Sequence, residues 1–220
     1  VNSTIDFEQA SEYALTCLEN QLSPDLKYHS LYHTRDDVLP AAERLATLEG
    51  ISREDKVLLR TAVLFHDVGF TVQIENHEII SAQTALRVLP HFGYQPQDIQ
   101  QIRSMILVTK LFTPPQTLLE AIIVDADLDV LGREDYLERN QALRDEIARL
   151  GKPMTDEQWY TQQLKFMHTH QYRTISAQSL RNLRKKYNTS ILTQLRNMSI
   201  VRAEEPLNGK GRQLWKVSSK

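Results

Sequence analysis

Four side chains in this sequence are of the types that bind a divalent cation: His33, the adjacent pair His66-Asp67, and Asp127. Two imidazoles and two carboxylates from three distant segments can meet on one ion only after the chain folds. The His66-Asp67 step closes an apolar helical run, Val57-Leu58-Leu59 then Ala62-Val63-Leu64-Phe65, and is followed by Val68-Gly69. A flank that apolar would ordinarily continue with apolar residues. Charged groups are tolerated in such a place when they are paired or bound to metal. Two nitrogen and two oxygen donors suit Mn, Fe, Co, Ni, Zn or Mg better than a thiolate-loving metal.

The segment before the second helix reads Tyr28-His29-Ser30-Leu31-Tyr32-His33-Thr34-Arg35-Asp36-Asp37-Val38. On a helix His29 and His33, four apart, would share one face, so one could ligate a metal while the other faced a bound molecule. The order His, His-Asp, Asp resembles the HD-domain superfamily of metal-dependent phosphohydrolases. The Y-H-x-x-x-H pattern is similar to that of its cyclic nucleotide phosphodiesterases. Their H-x-x-D-V continuation is half kept: Asp36 falls at the aspartate position and Asp37 displaces the valine. The likeness runs on through Glu75-Asn76-His77-Glu78 to Asp125-Ala126-Asp127-Leu128, roughly residues 28–132.

That resemblance implies an all-α, HD-domain helical bundle and a hydrolase. Its metal would be held by His33, His66, Asp67 and Asp127, and its substrate would be a phosphate ester, of a nucleotide or cyclic nucleotide. A bound divalent cation lowers the pKa of water and offsets charge on a phosphoryl oxygen. The resemblance further implies His29 as general acid and His77 as a ligand for a second metal, bridged by Asp67. Glu78 is a candidate for orienting a ligand or the attacking water, and Lys110 for holding a phosphate as a point charge. Asp36, Asp37 and Asp125 are available as carboxylate partners for the ligand histidines. Each has a plainer reading beside it. Glu78 fits a first-turn helix carboxylate, Lys110 a C-terminal helix cation, and His91, His168 and His170 ordinary histidines.

These residues need helices to position them, and the sequence supplies them. Glycine and proline are scarce, strand signals are nearly absent, and apolar residues recur at helical spacing. The pattern predicts helices at about 7–22, from Thr34 to Leu48, from the N-cap Ser52 to Gly69, at 76–89 and 96–108, and one from Leu118 carrying Asp125 and Asp127. Residues 70–75 read as a loop. A charged helix at 133–150 has Leu137, Leu143, Ile147 and Leu150 as its apolar members. Helices at 156–170 and 175–198 follow. In the last, Leu180, Leu183, Tyr187, Ile191, Leu195 and Met198 make one stripe that needs a partner, the chain's own acidic body first and a second copy (a homodimer) next. Residues 202–220 read as irregular or a short hairpin. The chain divides into an HD-type unit at 1–174 and a basic extension at 175–220.

Residues 1–157 hold 26 Asp/Glu against 14 Lys/Arg, and residues 158–220 hold 2 against 12, so the basic segment is expected to pack on the acidic body. Nucleic-acid binding through 165–202 rests on charge alone, because few aromatic residues interleave there. One cysteine excludes an intrachain disulfide and fits a reducing, cytoplasmic compartment. No apolar run is long enough for a membrane helix, and no signal peptide is visible. The start at Val1 rather than Met suggests a domain cut from a longer protein. The rival to an enzyme is a non-catalytic HD-type signalling module within such a protein. No phosphate-binding loop, nucleophile elbow or dinucleotide fingerprint offers another chemistry.

Overall fold

In the computed structural model, which describes residues 5–204, apolar periodicity and capping produce nine α-helices and no strand among the described residues. Helix α1 (Phe7–Gln21) starts where Asp6 accepts the Gln9 amide. Helices α2 (Leu39–Leu48) and α3 (Arg53–Phe65) follow, α3 capped by Ser52. Helix α4 spans His77–Val88 and α5 Pro96–Val108, the latter opened by a Gln95–Asp98 capping box. Helix α6 (Leu118–Asp127) begins at the Thr117 cap. Helices α7 (Tyr136–Arg149), α8 (Asp156–Thr169) and α9 (Ile175–Glu204) complete the set.

Helix α3 is the hub. Seven of its thirteen residues are buried, and it packs on α1, α2, α5 and α6. It stops at Phe65, short of the expected Gly69, because the chain tightens through His66 and Asp67 into a 3-10 turn at Val68–Thr71. Gly69 makes that turn possible. A β-carbon there would sit 2.0 Å from the His77 carbonyl oxygen and 2.9 Å from Ser81 Oγ.

The helix expected from Thr34 is present, but its first part is a π-helix, His33–Val38, leading into α2. A π turn holds one residue more than an α turn. It therefore absorbs the extra residue of His33-Thr-Arg-Asp-Asp-Val38. Asp37 and Val38, not Asp36, turn inward with His33. Asp36 lies outside, paired with Arg35. His29 precedes the helix rather than lying on it.

Two helices are held largely through polar groups. In α7 the buried residues are Tyr136, Asn140 and Glu146, while Leu137 is exposed. Asn140 joins α7 to α8, donating to Gln163 at 2.7 Å and accepting from the Trp159 indole at 2.9 Å. The packed stripe expected in α9 is corrected for its greater part: Leu183 is 83% exposed and Leu180, Tyr187 and Met198 are exposed with it, while Ile191 and Leu195 are half-buried. The face that docks is polar. Arg181 forms a two-point pair with buried Asp129 (2.7 and 2.8 Å), which Arg44 also reaches, and Asn188 donates to the Leu131 and Arg133 carbonyls. Only Leu192 and Ala177 add fully buried apolar contact. The approach is close enough that a β-carbon on Gly132 would meet Arg181 Cβ at 2.5 Å. The basic segment does pack on the acidic body, through charge rather than through its leucines. The helix extends through Glu204, beyond the expected 198. The expected irregular segment or hairpin otherwise falls in 205–220, outside the described residues.

Breaking a buried pair leaves an uncompensated charge and costs about 3 kcal/mol. Asp129→Ala should therefore destabilise the fold by about that much, whereas Leu183→Asp should shift it by less than about 0.5 kcal/mol. Equal losses in denaturant unfolding of the two variants would refute this account of how α9 is held.

Candidate metal centre

The three elements that the sequence reading combined do meet. His33 comes from the π segment, His66 and Asp67 from the end of α3, and Asp127 from the last residue of α6. Ligand atoms of His33, His66 and Asp127 all lie within 4.8 Å of one another. His33 Nε2 is 3.1 Å and His66 Nε2 3.6 Å from the same Asp127 oxygen. Asp67 divides its carboxylate. One oxygen lies 3.3 Å from His66 Nε2 and 3.8 Å from His33 Nε2, and the other lies 3.6 Å from His77 Nε2. His33, His66 and Asp67 are almost wholly buried.

The outer nitrogens of two of these rings are held from behind by backbone carbonyls. His66 Nδ1 lies 2.7 Å from the Val63 carbonyl, and His77 Nδ1 lies 3.1 Å from that of Ile74. His33 Nδ1 faces Asp37 at 4.0 Å, and Asp37 is clamped by Arg133 (2.6 Å) and Arg139 (2.9 Å). Of the three carboxylates offered as histidine partners, Asp37 alone lies beside a ligand ring. Asp125 instead accepts the amides of Arg173 and Thr174 and the Thr174 hydroxyl, fixing the entry to α9.

His66 and His77 are thus backed by carbonyls, as metal-binding histidines often are, whereas His33 Nδ1 has no hydrogen-bond partner. His66 Nε2 and Asp67 Oδ2 are buried and have no hydrogen-bond partner. A divalent cation accepted by these nitrogens and oxygens would satisfy both, so the residues fit one. Burial opposes charge on His66, yet Asp67, Asp127 and the Val63 carbonyl outweigh it and raise the ring to about 9. Without metal the cluster thus retains a proton, which a cation must displace.

Around the quartet lies a second group. His29 Nδ1 contacts Glu146 Oε1 at 2.5 Å, and the other oxygen of Glu146 accepts the backbone amides of Tyr28 and His29. Burial works against charge on His29, but the Glu146 hydrogen bond, with Asp67, Glu146 and Asp127 nearby, holds it above its ordinary value. Glu146 is held low in spite of burial by the same contacts. Phe70 lies between two rings, 4.5 Å from His29 and 3.7 Å from His77, so the three stack. Glu78 Oε1 is 3.7 Å from His77 Nε2. Lys110 donates to Asn76 Oδ1 at 3.1 Å, at the start of α4.

Sequence reasoning missed Glu146 and Phe70. Glu146 is 117 residues from His29. In sequence it is one more glutamate on a charged helix. Phe70 was passed over as part of a loop.

This arrangement has the fold of the HD superfamily. No family model matches the sequence. The structure resembles a predicted HD superfamily hydrolase from an uncultured Thermotogales bacterium over 89% of this chain and 92% of that one, at TM-score 0.56 and 15% identity. It also resembles a Lactobacillus plantarum protein (89% and 97%, TM-score 0.66, 19% identity). Bacillus subtilis YpgQ, solved in complex with ADP, covers 87% of this chain and 94% of its own, at TM-score 0.63 and 17% identity. In sequence, 74 residues are 36% identical to a bifunctional uridylyltransferase/uridylyl-removing enzyme of Cereibacter sphaeroides. That match takes in 34% of this chain, which spans only 7% of that relative's length. No described helix is long and apolar enough to cross a membrane.

Two results are expected. Elemental analysis should find a divalent transition metal in the purified protein and little in His66→Ala and Asp67→Ala; equal content in all three would refute the site. Glu146→Gln should cost about 2 kcal/mol with a distinct pH dependence. The Glu146 contribution is present above its unfolded value of about 4.5 and lost as pH falls below it. The His29 contribution is full below about 6.5 and lost as pH rises through its raised folded value. The penalty should therefore peak between those limits, and a flat penalty in thermal melts from pH 4 to 9 would contradict the pair.

Proposed function

We propose that this chain is a metal-dependent phosphohydrolase that cleaves a phosphate ester, with a nucleotide or cyclic nucleotide as substrate. The observation that carries the proposal is the convergence of His33, His66, Asp67 and Asp127 beside an imidazole, His29, whose hold on a proton is strengthened by a buried carboxylate. The ADP bound to YpgQ and the uridylyl-removing activity named for the Cereibacter enzyme support a nucleotide ester. A divalent ion in the quartet would supply Lewis acidity toward a phosphoryl oxygen.

The protein's own groups have separate tasks. Glu146 fixes His29 through Nδ1, so its proton on Nε2 is available to a departing ester oxygen. Phe70 packs between His29 and His77 and stacks on each ring. Asp67, turned to both sides, links the quartet to His77 and Glu78, which are the candidates for a second ion. Lys110 would hold a phosphate oxygen. The proposal puts this chemistry in residues 1–174, in a reducing, cytoplasmic setting, with the segment from 175 as a buttress.

The test is a panel of mono-, di- and cyclic nucleotides assayed with several divalent metals. Turnover is expected on at least one. His29→Ala should lower kcat by about 10²-fold or more while leaving bound metal unchanged. Absence of turnover across the panel would favour a non-catalytic HD-type module.

A further inference from the structure

Beside Asp127 lies a cavity of about 60 Å³, walled by the α5–α6 connection and by the turn between α8 and α9. Its lining includes Lys110, Phe112, Phe166, His170 and Arg173. That volume admits a few water-sized groups, enough for a phosphate but not for a nucleoside. The two cations on its wall, Lys110 and Arg173, make no ion pair with any described carboxylate. Lys110 comes from the α5–α6 connection and Arg173 from the turn between α8 and α9.

His170 is harder to explain as structure. Both its ring nitrogens are buried and have no hydrogen-bond partner, although buried polar atoms nearly always have one. The ring stacks on Phe166 and meets Tyr172 edge-on. Burial, with Lys185 and Arg173 close by, pushes it down to about 3. It is thus a neutral ring with one N–H to donate. Phe112 is the second anomaly. It holds a left-handed backbone at φ +69° and its side chain is 77% exposed, edge-on to Phe166 at 6.1 Å. A bulky residue in that region is strained, and such strain gathers at ligand sites.

We infer that this cavity is a second-phosphate subsite, which holds a phosphate other than the reacting one between Lys110 and Arg173 with His170 donating from its floor. Phe112, at the mouth, then offers its face to an aromatic base. The substrate class that follows is a nucleoside diphosphate or longer, in preference to a monophosphate. The inference rests on the hydrolase reading for what happens at the metal, but the subsite itself is a binding claim that can be read without turnover.

The experiment is calorimetric titration of the full chain with pyrophosphate, orthophosphate, ADP and AMP. Wild type should bind pyrophosphate more tightly than orthophosphate. Lys110→Gln and Arg173→Gln should each weaken pyrophosphate by about tenfold, as expected for loss of a charged hydrogen bond, and should erase the preference. Phe112→Gly suits the left-handed backbone, so folding is not at risk. It should leave pyrophosphate unchanged and weaken ADP. No preference in wild type, or a preference that survives in both cation variants, would overturn the subsite. Metal content, measured on the same samples, separates the two readings. A protein that lacks metal yet keeps an Arg173-dependent preference retains the subsite and loses the hydrolase.

Discussion

The structure is organised by the need to bury two imidazoles and two carboxylates within a few ångströms of one another. Desolvating such groups is costly unless every donor and acceptor is answered. The protein's own groups meet that cost in part and leave His33 Nδ1, His66 Nε2 and Asp67 Oδ2 without a hydrogen-bond partner. Asp37, Arg133 and Arg139 stand behind His33, and the Val63 carbonyl behind His66. The rigidity of α3, sealed among four other helices, keeps His66 and Asp67 from relaxing toward water. Gly69 then lets the chain turn so tightly that His77 comes within 3.6 Å of Asp67.

Much of this was legible in the sequence, because the signals were local. The quartet's order, the Ser52 cap and the breaks at Gly50 and Pro114-Pro115 could be read directly. The parts that could not be read depend on partners far along the chain. Glu146 is an unremarked glutamate on a charged helix until its carboxylate meets the Tyr28 and His29 amides. Asp36 and Asp37 look interchangeable in sequence. Which one turns inward depends on whether the helix runs with 3.6 residues per turn or takes in one more.

The last helix shows the limit of periodicity. A regular apolar stripe ordinarily marks the buried face, and here its greater part is exposed. Arg181, Lys185 and Asn188 outcompete the leucines because Asp129 and several carbonyls at that surface need donors. The charge imbalance between the two parts of the sequence was the better guide to docking.

The π segment has a consequence of its own. A helix with one surplus residue has a choice of where to put it, and sliding the bulge along by one position would exchange Asp36 for Asp37 beneath His33. The two arginines that grip Asp37 favour the setting in which Asp37, and not Asp36, lies behind the ring. The spacing of the chain, and not only the identity of its ligands, then decides which carboxylate stands behind the ring. An inserted residue that would ordinarily ruin a motif becomes, with those arginines in place, simply a different way of threading it.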